Sequence, residues 1–300
     1  SISYLVRRSC KIASMNYKAP LYLFLLPSIL FLNACGDDSN IPKGITLDSS
    51  DSIQQQTKAI SIKAVNYDMV ISDIPFPFEI LNNLYSKNVP FNKKAMNDVA
   101  NVENCNLYNS KAMNLGIYGA DLAYAVTYEE FQSLGTYVKA TKRLAEELNI
   151  PYAFDQAMMD KYSKYKDNKD SLTKIIYDSY NQVDQSLKND ERVGMAALVV
   201  TGSWLEGLYI STKTFLDAPK TPDNSSLYKV IYEQKQSLKI VVKLLDEYKK
   251  DAYVSSIIED LKVITSEYNT ITSDVPMNEK QLIGIHAKVE LLRTKIIKGL

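Results

Sequence analysis

The chain has 300 residues, of which 46% are hydrophobic and 23% are charged, and 35 lysines and arginines balance 35 aspartates and glutamates. This composition is typical of a globular chain with one large domain or two small ones, and it excludes disorder over most of the length. Because no net charge attracts the protein to phosphates, the balance also excludes nucleic acid as an expected partner.

An apolar run of signal-peptide length occupies residues 21–32. It is interrupted by Pro27 and is too short to span a bilayer as a stable helix. The run ends in Leu32-Asn33-Ala34-Cys35, which resembles the lipobox of bacterial lipoproteins: an aliphatic residue three positions before a cysteine and a small residue directly before it. Asn33 stands where that pattern usually has a small residue. A buried N-terminal helix is disfavoured because nothing in the segment is amphipathic.

We therefore expect residues 1–34 to be a signal peptide, with Met15 as the alternative start of translation. Cys35 is expected to carry acyl chains, which bind a membrane through transfer of about 0.8 kcal/mol per buried methylene. Residues 35–58 are rich in Ser, Asp and Gln and are expected to be a flexible tether. These features predict a protein held by its lipid at the outer membrane, on the periplasmic face or at the cell surface.

Residues 59–300 are predicted to form a single all-helical domain, because apolar residues recur at helical spacing from Pro77 onward. Only Ser61 to Ile71 has some strand-like alternation. The predicted helices are 77–87, 93–103, 110–128, 130–148, 154–166, 170–188 and 193–212, followed by three that carry apolar stripes over 227–248, 254–271 and 282–296. We expect Asp170 to cap one of them, and Asn224 or Ser225 to cap another.

Two of these helices are almost free of charge. Asp121 is the only charged residue within 112–128, and Glu206 is the only one within 193–212. Both segments are rich in Gly and Ala, which let neighbouring helix backbones approach closely. Because glycine has a low helix propensity, close packing or access for a ligand must offset its cost. The sequence therefore predicts a multi-helix bundle, or an array of helical hairpins, with two buried central helices.

Four segments resemble a family of uncharacterised lipoproteins from Bacteroidota. They are Ile-Pro-Phe-Pro-Phe-Glu at 74–79, Asn-Leu-Gly-Ile-Tyr-Gly-Ala-Asp-Leu at 114–122, Asn-Lys-Asp-Ser-Leu at 168–172 and Gly-Ser-Trp-Leu-Glu-Gly-Leu-Tyr at 202–209. The resemblance covers most of the exported domain. It implies an exported helical lipoprotein with no established activity, so it assigns no catalytic residue.

The motifs of cofactor-dependent enzymes are missing from the sequence. It has no Walker loop, dinucleotide-binding glycines, nucleophile elbow or cysteine-pair metal site, and His286 is its single histidine. Gly284-Ile285-His286 with Glu290 resembles the Gly-x-His-x-x-Glu element of imelysin-like lipoproteins, with the acid one position later. A hydrogen bond on the helix surface is the favoured interpretation of this pair. We predict no cofactor and no metal.

Asp121 and Glu206 are the candidate functional residues, because an acid inside an apolar helix must be paired, hydrogen-bonded or protonated. In a structural interpretation they contact a tyrosine hydroxyl, a helix end or one of three arginines: Arg143, Arg192 and Arg293. In a ligand-binding interpretation they line a pocket with four aromatic residues: Tyr118, Tyr124, Trp204 and Tyr209. Such a pocket would suit a sugar, an amine or a peptide terminus.

The sequence leaves three functions open. A module that binds a partner protein at the outer membrane is favoured, because the sequence predicts an anchor, a tether and a helical bundle but no set of catalytic residues. A small-ligand binder that uses the acids and aromatic residues is the alternative. An acid-based hydrolase comes last, because two carboxylates can hydrolyse a glycosidic bond but nothing in their spacing demands it. We therefore expect no enzymatic activity.

Overall fold

The computed structural model describes residues 67–272 and 276–299. Within these ranges every regular element is a helix, which confirms the predicted all-α fold. Residues 67–71 are helical, so the strand considered for Ser61 to Ile71 is wrong for that part of the segment. The predicted signal peptide, Cys35 and the tether lie outside the described residues.

From Pro77 onward the α-helices are α1 (Pro77–Ser86), α2 (Tyr108–Thr127), α3 (Phe131–Glu147), α4 (Gln156–Tyr165), α5 (Lys169–Asn189), α6 (Val193–Asp217), α7 (Leu227–Asp246), α8 (Ala252–Asn269) and α9 (Glu279–Ile297). Three 3-10 helices connect them: Lys93–Ala95, Val99–Asn104 and Pro151–Phe154. The predicted α-helices agree with these bounds to within a few residues, with one exception.

The exception is the helix predicted over 93–103, which is wrong as an α-helix. The side chain of Asn92 accepts a hydrogen bond from the Lys94 N–H, and that of Asp98 accepts one from the Ala100 N–H. Each side chain therefore starts a separate short 3-10 helix. Asn and Asp compete with the helical backbone in this way, which is why an apolar spacing alone misleads here.

Two predicted helix caps are also wrong. Helix α5 begins after Asn168, whose side chain accepts a hydrogen bond from the Ser171 N–H, and Asp170 lies in the first turn instead. There its negative charge interacts favourably with the positive end of the helix dipole. Helix α7 follows Ser226, which makes no side-chain cap, while the Asn224 side chain bonds within the preceding turn.

Helices α2 and α6 form the centre of the fold, as the sequence predicts. Residues 112–127 of α2 are buried without interruption. A Cβ atom on Gly116 would overlap the carbonyl oxygen of Val199, and one on Gly202 would overlap the carbonyl oxygen of Met113. The two backbones are therefore in direct contact at these glycines.

Helix α6 is the one helix of the described ranges that has the length and apolar composition of a membrane span. In the folded domain 83% of its most apolar stretch is buried by neighbouring elements. It packs against α1, α2, α5, α7 and α9. A helix that is apolar all round is expected at such a central position in a bundle.

Candidate functional site

The two candidate acids lie together in the core, and an arginine is the third member of the cluster. Asp121 lies on α2, Glu206 on α6 and Arg293 on α9. Both acids are 0% exposed and Arg293 is 6% exposed. Helix α9 packs against α6 and also contacts α2, so it carries Arg293 to the point where the two central helices place their acids. The contact brings together residues from three widely separated parts of the chain.

Glu206 is bound by Arg293 through two hydrogen bonds. Arg293 Nε donates to Glu206 Oε2 at 2.6 Å, and Arg293 Nη2 donates to Glu206 Oε1 at 2.6 Å. This bidentate geometry is the strongest form of an arginine–carboxylate pair. These hydrogen bonds offset the free energy needed to remove both charges from water. An unpaired ion in the core would have no such compensation.

Asp121 has a different set of neighbours. Its Oδ1 atom accepts a hydrogen bond from the backbone N–H of Asn97 at 3.2 Å. Burial, followed by the negative charge of Glu206, raises the pKa of Asp121 well above its ordinary value. Oδ2 accepts no hydrogen bond from the described residues, as expected if it carries the proton. A protonated Asp121 can donate to the neighbouring Glu206 carboxylate.

Burial raises the pKa of Glu206 too, but two groups oppose this effect. The positive charge and hydrogen bonds of Arg293, and the hydrogen bond from Asp121, both favour the ionised form of Glu206. We therefore describe the cluster as a neutral Asp121, a carboxylate on Glu206 and a guanidinium on Arg293. Its net charge is zero, as a fully buried group of ionisable residues requires.

The chain around Asn97 covers this cluster. The hydroxyl of Tyr137 donates to the Asn97 carbonyl at 2.7 Å, and the hydroxyl of Tyr118 donates to the Asp98 carbonyl at 3.0 Å. Asn97 is not predictable as part of the site, because it lies between two short 3-10 helices where the apolar spacing predicts a single helix. No sequence pattern links position 97 to Asp121.

The structure divides the four aromatic candidates into two groups. The ring of Tyr209 lies 4.0 Å from the Arg293 guanidinium, and Tyr118 holds the segment that covers Asp121. In contrast, Trp204 Nε1 donates to Gln234 at 3.2 Å, and the hydroxyl of Tyr124 accepts from the Asn92 N–H at 2.8 Å. Only the first two are therefore part of the surroundings of the acids.

His286 also packs beside Tyr209. Its ring stacks on the Tyr209 ring at 5.4 Å, its Nδ1 lies 3.0 Å from the Thr212 hydroxyl, and its Nε2 lies 4.0 Å from Glu290. Burial lowers the pKa of His286, so the ring is neutral at pH 7. In the part of the chain that the structure describes, no group of three or more metal-ligating side chains surrounds it or forms elsewhere.

The cluster of Asp121, Glu206 and Arg293 connects three helices and is closed to solvent. Asp121, Glu206, Trp204, Tyr118, Tyr124 and Tyr209 are each 5% exposed or less. The two acids are neighbours: both oxygens of Glu206 accept from Arg293, and Oδ1 of Asp121 accepts from the Asn97 N–H. A sugar-binding or hydrolytic site needs acids that a substrate can reach. Comparisons of the chain with protein-family models, with curated proteins and with solved structures found no match.

Proposed function

We propose that this protein is a lipid-anchored, extracytoplasmic helical module that binds a partner protein through the exposed face of its last two helices. The observation that carries the proposal is an apolar strip, defined here as Val263 on α8 with Ile283, Ala287 and Leu291 on α9. Val263, Ile283 and Leu291 are 46%, 52% and 67% exposed. An exposed strip of large apolar side chains is typical of a binding surface.

The spacing of the strip gives it a direction. Ile283, Ala287 and Leu291 follow one another at intervals of four residues, so they lie in a line along α9. Val263 extends this line sideways across a surface groove with a volume of about 380 Å³ that Leu291 also lines. A groove between two helices suits an amphipathic helix, whose apolar side chains recur at intervals that match those of Ile283, Ala287 and Leu291.

The strip has a basic rim where it borders the groove. Lys288, Lys295 and Lys298 line the groove beside Leu291. Lys295 pairs with Asp260 at 2.6 Å, whereas Lys288 and Lys298 form no ion pair with any residue that the structure describes. Charge complementarity therefore favours a partner helix with acidic residues beside its apolar stripe. Burial of the candidate acids supports the same proposal, because it leaves them out of reach of a substrate.

Site-directed photo-crosslinking tests the proposal. A photoreactive residue at position 291 should capture one envelope protein, and Leu291→Asp and Ile283→Asp should each lower its recovery in pull-downs at least tenfold. Leu107→Asp is the matched control, because Leu107 is 62% exposed and lies outside the strip. With the purified partner, Lys288→Glu should weaken binding most at low salt. Equal recovery by Leu291→Asp and Leu107→Asp would overturn the assignment.

A further inference from the structure

An apolar cavity lies between α2, α3, α4 and α5, and it shares no lining residue with the apolar strip or the acid cluster. Its free space is about 40 Å³. Prominent among its lining side chains are Leu122, Leu134, Val138, Phe154, Leu172 and Ile176. A cavity with such walls repels water and accepts apolar molecules.

Three of the four hydroxyl-bearing side chains around the cavity already donate within the protein. The hydroxyls of Thr141, Ser179 and Tyr180 each donate to a backbone carbonyl oxygen, at distances of 2.6, 2.9 and 3.1 Å. The walls therefore present hydrocarbon. This disfavours a sugar or an amine as the molecule inside the cavity, because most of their hydrogen bonds with water would not be replaced.

Helix α4 forms the outer wall of the cavity. It contributes Met158 and Tyr162, and none of its residues is buried. It packs against α5 and the short 3-10 helix Pro151–Phe154. A wall with so little buried surface can move outward at low cost, and methionine adapts its shape to what it contacts. Outward movement of α4 would enlarge the cavity.

A basic surface groove adjoins the cavity between α4 and α5. It has a volume of about 520 Å³, and Ile175 lines both spaces. Lys161, Lys164 and Lys174 line the groove together with Asp160 and Asp178. Lys174 pairs with Asp178 at 2.8 Å, and Gln156 donates to Asp160 at 2.7 Å. Lys161 and Lys164 form no ion pair within the described ranges, so they can bind an anion.

We propose that α4 and α5 bind an anionic amphiphile with a single alkyl chain, of the fatty-acid class. The alkyl chain enters the apolar cavity as α4 moves outward, and the carboxylate lies in the groove beside Lys161 and Lys164. The cavity supplies affinity through burial of methylene groups, and the lysines select the charged head. This site is independent of the proposed partner-binding strip.

Isothermal titration calorimetry with dodecanoate and dodecanol tests the proposal on the full chain carrying Cys35→Ser, which removes the expected lipid attachment point. The parent should bind one dodecanoate. Val138→Phe, which fills the cavity, should weaken binding of both probes at least tenfold. Lys161→Glu/Lys164→Glu should weaken dodecanoate at least tenfold and leave dodecanol unchanged. The matched control is Lys229→Glu/Lys262→Glu, because both lysines are exposed on other helices.

Circular dichroism shows whether Val138→Phe folds. If it folds and binds dodecanoate as the parent does, or if the parent binds none, the proposal is overturned. If Val138→Phe does not fold, the lysine pair decides. A selective loss of dodecanoate then supports the proposal, whereas unchanged binding of dodecanoate, or an equal loss of both probes, contradicts it.

Discussion

Arg293 on α9 donates two hydrogen bonds of 2.6 Å to Glu206 on α6, and protonated Asp121 on α2 completes the cluster. Each of the two central helices keeps one acid because these acids meet. A bond between parts of the core that are 87 residues apart in the chain ties the last helix to the centre of the fold. The energetic consequences can be measured residue by residue.

Arg293→Met should lower the free energy of unfolding by about 3–5 kcal/mol, because Glu206 would remain in the core without its partner. Urea unfolding followed by circular dichroism measures this loss. Arg143→Met is the control, since Arg143 pairs with Glu103 and Glu147 at the surface and its side chain is 43% exposed. There the loss should stay below about 1 kcal/mol. Similar losses for the two variants would contradict the account.

Asp121→Asn and Glu206→Gln should differ in stability although each replaces an acid with its amide. An Asn at position 121 can still accept from the Asn97 N–H and donate to Glu206. At pH 4, where the proton on Asp121 costs almost nothing, the loss should therefore be within about 1 kcal/mol. Glu206→Gln leaves the Arg293 charge uncompensated and should cost about 3 kcal/mol or more. The same unfolding experiment compares them. A larger loss for Asp121→Asn would show that Asp121, not Glu206, carries the negative charge.

The raised pKa of Asp121 makes stability depend on pH in a defined direction. In the unfolded chain an aspartate titrates near pH 3.9, so between that pH and the higher folded pKa the native state holds one extra proton. The stabilisation is complete below about pH 4, falls by up to about 1.4 kcal/mol per pH unit as the pH rises, and is lost once the folded pKa is passed.

The difference in free energy of unfolding between the parent and Asp121→Asn isolates this contribution. Measured from pH 4 to pH 8, the stability of the parent relative to the variant should decline with rising pH. Titrations of groups that do not interact with Asp121 cancel in this difference, whereas the titration of Glu206 contributes to it. A difference that stays constant over the whole range would show that Asp121 has an ordinary pKa.

The fold could be predicted largely from the sequence, because helix periodicity is a local signal. The near absence of charge around Asp121 and Glu206 also located the two central helices. The single helix predicted over 93–103 was wrong for a reason that is also local. The side chains of Asn92 and Asp98 accept hydrogen bonds from the backbone that follows them, and each starts a separate 3-10 helix.

The candidate site was harder to predict, because its geometry depends on contacts between distant segments. Three arginines are possible partners of the acids from the sequence alone. Arg293 is identified as the partner only by the packing of α9 against α6. Trp204 and Tyr124 belong to the same apolar helices as the acids, yet they bond to Gln234 and Asn92. Composition shows that such residues are buried, but it does not show which way each one points.

The contact between α2 and α6 predicts a strong effect of the smallest substitution. Gly116→Ala should lower the free energy of unfolding by about 3 kcal/mol or more, because its methyl group would overlap the Val199 carbonyl and force two backbones apart. Thermal unfolding measures the loss. Gly135→Ala is the control: the nearest atom to its new Cβ is the Tyr162 hydroxyl at 3.8 Å. It should gain about 0.5–1 kcal/mol from helix propensity, and a loss like that of Gly116→Ala would refute the close contact.

Lipidation of Cys35 remains a prediction from the apolar run and the lipobox that follows it. Metabolic labelling with a fatty acid should mark the wild-type protein and leave Cys35→Ala unlabelled, because the thiol is the expected attachment point. Fractionation of the same cells should place the labelled protein with the membranes. Label on Cys35→Ala would mean that the acyl chain is attached elsewhere.

The central claim is that the buried acids maintain the fold while the apolar strip on α8 and α9 binds the partner. The measurement that tests it most directly is recovery, in pull-downs, of the envelope protein identified by crosslinking: Asp121→Asn and Leu291→Asp are compared at equal amounts of folded protein. We expect recovery by Asp121→Asn at the level of the parent and a loss of at least tenfold for Leu291→Asp. Loss of the partner from Asp121→Asn, with full recovery by Leu291→Asp, would contradict it.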